Sequence, residues 1–155
     1  MIWSLDNTSI LFAGVALLSW IFAWAPGLWC GRDVFQNEVV VPPFQLPTTI
    51  VPITEVITQA MLWYALQDIE LYDLNPYSTI AYVVQAFAFP LWTYTFLQYK
   101  SKEWSLLLVI IAFVCGILIP YFTPEIDWVI VVPFIIHKLY DIYWTAAASF
   151  VVPPV

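Results

Sequence analysis

The chain has 155 residues, of which 63% are hydrophobic, 19% aromatic and only 10% charged, with a mean hydropathy of +0.86. Too little polar surface remains to coat a soluble globule of this size, which marks an integral membrane protein with the lipid bilayer as its surroundings. Eleven acids against four Lys and Arg give a formal charge of −7, which excludes nucleic acid and an anionic lipid surface as docking partners.

The first apolar run, about 8–29, holds no charged side chain and is long enough to cross a hydrocarbon core about 30 Å thick at about 1.5 Å per residue. Pro26, Gly27 and Trp29 mark its end at the interface, where tryptophan rings settle. A loop over 30–45 follows, with Arg32, Asp33, Glu38 and the rigid pair Pro42-Pro43, long enough to fold back as a lid. The second segment, about 46–69, places Thr48, Pro52, Glu55 and Gln59 on one helical stripe, while Ile50, Ile53, Ile57, Met61 and Tyr64 fall mostly elsewhere. This predicts a span whose polar stripe faces inward. The alternative is a helix lying in the interface, which leaves four spans, but such helices carry Lys or Arg on the polar face and this one has none.

After an acidic connection comes the third span, about 77–98, containing Gln85 and Pro90; the fourth covers about 104–122 and the fifth about 127–152. The expected fold is therefore a single all-α transmembrane domain over 1–155, a bundle of five transmembrane helices with short connections and antiparallel neighbours. Arg32, Lys100 and Lys102 all fall in loops one and three, and the opposite side holds Asp6, Asp68, Glu70, Asp73, Glu125 and Asp127 without a base. The positive-inside rule then puts the N-terminus outside and the C-terminus on the cytoplasmic side.

The last apolar segment carries His137, Lys138 and Asp141 at mid-depth, with Tyr140 and Trp144 extending that side of the helix. A charge at the bilayer centre costs about 2.5–3.5 kcal/mol on insertion scales, so these groups require protein or water around them and a partner. Glu55 and Gln85 lie at comparable depth, which predicts one cavity with a Glu55–Lys138 or Lys138–Asp141 pair. The candidate ligand-binding residues are Glu55, Gln59, Gln85, His137, Lys138, Tyr140, Asp141 and Trp144, with Trp20, Trp24 and Trp92 as further cavity walls. With one His and two widely separated Cys, no metal ligands and no catalytic residues are expected.

Five closely spaced spans, a first loop with Pro42-Pro43, the richness in tryptophan, the Gln85 and Pro90 pair in the third span and Pro133-Phe134 opening the fifth together resemble the translocator protein family, also called tryptophan-rich sensory proteins. The chain departs from that family in its second and fifth helices, where the family's tryptophans are missing and His137 stands at one of their places. The run Gln85, Phe89-Pro90, Thr93-Tyr94, Phe96-Leu97, followed by Trp104, is similar to the second helix of the sigma-two receptor and emopamil-binding group. Both resemblances imply an intramembrane cavity for an apolar ligand, a porphyrin, sterol or lipid-like molecule, with the first loop as its cap in the former case. The expected function is ligand binding of a sensory or transport-related kind without a bound cofactor; an accessory subunit of a larger membrane complex, a homodimer and a sterol-handling protein of the second group are the alternatives.

Overall fold

A computed structural model of the chain describes residues 12–19, 21, 38–47, 50–67 and 75–150. These residues are mostly helical. Helix α1 is described over 12–19, α2 is Ile50–Gln67, α3 is Pro76–Thr93, α4 is Lys102–Phe122 and α5 is Trp128–Ala147. One π-helical turn, Tyr94–Gln98, continues α3, and two short strands, β1 at Val39–Val40 and β2 at Ser149–Phe150, complete the list. Most of the expected first span, part of loop one and the acidic connection over 68–74 lie outside the described residues, as do Trp20 and Trp24.

Local chemistry sets the helix starts. Asn75 accepts a hydrogen bond from the Tyr77 N–H while Pro76 fills the first helical position, where a missing N–H costs nothing. Asp127 caps α5 in the same way through the Val129 N–H. The second segment begins its helix at Ile50 rather than near 46, because Pro47 and the residues before it run non-helically and the Ile50 N–H donates back to the Pro47 carbonyl at 2.8 Å. Pro90 deprives α3 of one donor near its end, and the helix widens into the π turn four residues later, with the Thr93 hydroxyl donating to the Pro90 carbonyl at 2.6 Å.

The expected helical end at 152 is corrected. Helix α5 stops at Ala147, Ala148 turns to extended backbone, and Ser149–Phe150 become a strand. Phe150 followed by Val151 and Val152 is a β-prone sequence running into Pro153-Pro154, which favours extension over helix. Strand β2 pairs antiparallel with β1, Val39 opposite Phe150 and Val40 opposite Ser149.

Among the described residues three helices are long and apolar enough to cross a membrane, Pro76–Gln98, Lys102–Phe122 and Trp128–Ala147. Helix α2 has 18 residues but is more polar, and its polarity is turned inward: Glu55, Thr58 and Gln59 are buried while Ile50, Ile53, Ile57 and Tyr64 are exposed. The closest-packed pairs are α3 with α4, α4 with α5, and α2 with α5. Thus α2 packs on the last helix more than on α3, the neighbour expected from the chain order. At the α4–α5 crossing Gly116 admits the ring of Phe134, since a Cβ there would lie 2.5 Å from Phe134 Cε1. Helix α1 meets α3 through Phe12, whose ring stands edge-on to Tyr82 at 4.6 Å while the Tyr82 hydroxyl donates to the Phe12 carbonyl. Exposed Ile110, Val114, Ile117, Val129 and Ile136 give the bundle an apolar exterior, as contact with hydrocarbon requires.

Candidate functional site

Lys138 lies near the middle of α5 and is 1% exposed. Its ammonium donates to Glu55 Oε2 of α2 at 2.5 Å and to Asp141 Oδ2, one turn further along α5, at 2.9 Å. Two aromatic faces complete its surroundings, Phe89 of α3 at 5.5 Å and Phe134 of α5 at 5.4 Å, each attracting the cation through its ring quadrupole. His137 Nε2 sits 2.8 Å from Glu55 Oε2 and 3.7 Å from Asp141 Oδ2, yet it is buried and not aligned for a hydrogen bond with either. The polar chain continues away from α5. Gln59 Nε2 donates to Glu55 Oε1 at 3.1 Å and to Gln85 Oε1 at 2.8 Å, and Gln85 Nε2 returns a bond to Gln59 Oε1 at 3.1 Å.

Two carboxylates, the buried Glu55 and the half-buried Asp141, face one lysine, so the cluster has a formal charge of −1 with a neutral imidazole and zero with an imidazolium. Burial of that many charges is tolerable only because each is paired and each carboxylate accepts a charged hydrogen bond. Glu55, His137 and Asp141 bring their donor atoms within 4.8 Å of one another, a convergence that the lone histidine in the sequence does not announce. These are nitrogen and oxygen donors of the kind a divalent ion takes. The Lys138 ammonium, however, bonds the same two carboxylate oxygens, Glu55 Oε2 and Asp141 Oδ2, so the cation at this place is supplied by the chain itself.

Of the residues expected at the site, the structure brings together Glu55, Gln59, Gln85, His137, Lys138 and Asp141. Tyr140 and Trp144 are engaged elsewhere. The Tyr140 hydroxyl accepts the Leu46 N–H at 2.9 Å, tying the end of loop one to α5, and the same end carries the Lys100–Glu38 ion pair and the β1–β2 pairing. Trp144 packs in an aromatic cluster with Trp92 at 5.9 Å and Phe96 at 5.2 Å, while the Trp92 indole donates to Thr145 Oγ1. These tryptophans form packed core rather than an open wall.

An open groove of about 250 Å³ lies instead between α1 and α2, lined by Ala13, Ala16, Leu17, Val56, Gln59, Ala60 and Trp63. Sequence reasoning passed over all of them except Gln59. The available signal was the run of small residues Ala13, Gly14 and Ala16, which leaves volume wherever a neighbouring helix also presents alanine. Gln59 therefore belongs to both places, the apolar groove and the polar chain that ends on Lys138. No family model and no curated protein matches the chain.

Proposed function

We propose that the protein is a five-span membrane bundle, N-terminus outside and C-terminus inside, that binds an apolar ligand such as a sterol, a porphyrin-type ring or a lipid-like chain in the groove between α1 and α2. The observation that carries this reading is the composition of the groove wall. Its lining is apolar apart from Gln59 and the Trp63 indole, and mostly apolar concavities with a few placed polar groups are what small-molecule sites look like. A sensory role follows from the second attachment of Gln59, because a ligand that shifts its amide disturbs the Glu55 and Gln85 bonds and, through Glu55, the contacts of Lys138. Helix α2 is taken as a span because Glu55 meets the midpoint of α5 and Leu46 meets Tyr140, so α2 runs antiparallel alongside a helix of membrane length.

The test is energy transfer from tryptophan to a fluorescent sterol in lipid nanodiscs, with Trp63 on the groove wall as a donor. Saturable transfer is expected, and Ala60→Phe, which fills the groove from an exposed position, should remove at least nine-tenths of it, about 1.4 kcal/mol or more of binding. Saturable transfer that the Ala60 variant leaves intact would place the ligand elsewhere, and its absence in folded protein would reject the reading.

A further inference from the structure

The cluster around Lys138 has one acid more than it has lysines. Glu55 Oε2 and Asp141 Oδ2 both accept from the same ammonium, so a second positive charge is needed before the group is balanced. His137 is placed to provide it. Its Nε2 lies 2.8 Å from Glu55 Oε2 and 3.7 Å from Asp141 Oδ2, is buried, and makes no hydrogen bond. A bare lone pair on that nitrogen would lie against two anionic oxygens and be repelled, so Nε2 carries a hydrogen, which a turn of the ring brings into line with Glu55. Charge balance decides the other ring nitrogen. With Nδ1 bare the group is −1, with Nδ1 protonated it is zero, and an uncompensated charge inside the bundle is the costlier of the two. Among the described residues the cluster is faced by Glu55 from α2, by Lys138 and Asp141 from α5, and by the neutral Gln85 and Phe89 from α3. Cys115 of α4 and Tyr82 of α3 lie in the apolar cluster with Phe12 and Phe134, and the Tyr140 hydroxyl is held by the Leu46 N–H.

We propose that this cluster is a proton-binding site: it takes one exchangeable proton from water, past the half-buried Asp141, and holds it on His137 beside Glu55 and Asp141, while Lys138 keeps its own. The only bond formed is an N–H of the imidazole, and release returns the same proton to water. The site takes a proton and nothing larger, because Lys138 already occupies the two carboxylate oxygens that a metal ion would need. Nothing in it depends on what fills the groove between α1 and α2.

The chain has a single histidine, so histidine labelled with heavy nitrogen reports His137 alone when the full chain is purified without a histidine tag and placed in lipid nanodiscs. Nuclear magnetic resonance separates an imidazolium, with both ring nitrogens protonated, from either neutral tautomer. The parent chain should pass reversibly from imidazolium to neutral ring as the pH is raised, while circular dichroism shows it folded throughout. At the pH where the parent is half converted, Glu55→Gln and Asp141→Asn should each lower the ratio of imidazolium to neutral ring at least about tenfold, since each leaves one acid that Lys138 balances alone. Both variants keep Lys138 paired and are therefore the ones expected to fold. Lys138→Met, which leaves both acids to His137, should move the ratio the other way by a similar factor. A ring that keeps one form at every pH at which the chain stays folded overturns the proposal, the balancing proton then being fixed or held on a carboxyl group. So does a half-conversion that neither acid variant moves, which would show that His137 titrates without reference to the cluster.

Discussion

Lys138 bonds two acids at once, and the consequences of removing it differ from those of removing either acid. Lys138→Met leaves the buried Glu55 and the half-buried Asp141 without a lysine and should lower stability by roughly 3–5 kcal/mol, read as thermal unfolding in detergent. Glu55→Gln leaves the Lys138–Asp141 pair intact at 2.9 Å and should be the milder of the two. The double variant should be far less damaging than the sum of both, since one acid then remains instead of two; additive losses would show that Glu55 and Lys138 do not act on each other. That some partner had to exist was legible in the sequence, because a lysine in the middle of an apolar run must be neutralised. Its two partners, Glu55 and Asp141, were legible as well; the directions in which the surrounding side chains turn were not. Depth can be counted along a helix, whereas the rotation that points Gln59 at Gln85 and turns Trp144 toward Trp92 is set by packing between helices.

At the level of the elements, the α4–α5 crossing depends on one missing side chain. Gly116→Ala would set a Cβ 2.5 Å from Phe134 Cε1, so the rigid ring, which also covers Lys138 at 5.4 Å, or one of the two helices has to shift. A loss of about 1–3 kcal/mol is expected, and Phe134→Leu in the same chain should recover part of it; an unaltered melting temperature in Gly116→Ala would mean that the helices sit further apart. The tie of loop one to α5 is weaker and more local. Tyr140→Phe removes the acceptor of the Leu46 N–H, so hydrogen exchange at Leu46 should accelerate while the melting temperature changes by an amount corresponding to about 1 kcal/mol or less. The helices α3 to α5 were readable from the length of their apolar runs. Strand β2 was not, since its partner β1 lies most of the chain away and two-residue pairing leaves no periodicity to detect.

For the whole molecule, the position of residues 38–47 carries the topology. Glu38 pairs with Lys100, Val39–Val40 with β2, and Leu46 with Tyr140, so loops one and three and the end of α5 gather at one end of the bundle. In a background without cysteine, Phe44→Cys and Glu103→Cys should label with an impermeant maleimide from the same face of the membrane and Glu125→Cys from the other. Labelling of Phe44→Cys and Glu125→Cys from a common face would mean that α2 does not cross. The charge asymmetry of the loops anticipated this arrangement, while the preference of α2 for α5 over α3 had no trace in loop lengths. The Glu55–Lys138 contact also has a meaning in time. Glu55 leaves the ribosome 83 residues ahead of Lys138, so while the intervening helices are being made its carboxylate has no lysine to meet within the hydrocarbon. In the five-span bundle proposed above, helix α2 has reason to wait at the translocon or the bilayer surface until α5 arrives, and the seating of an early helix would be one of the last events in assembly. A nascent chain arrested before residue 138 should therefore leave α2 open to labelling along its polar stripe, although every residue of that helix has already been synthesised.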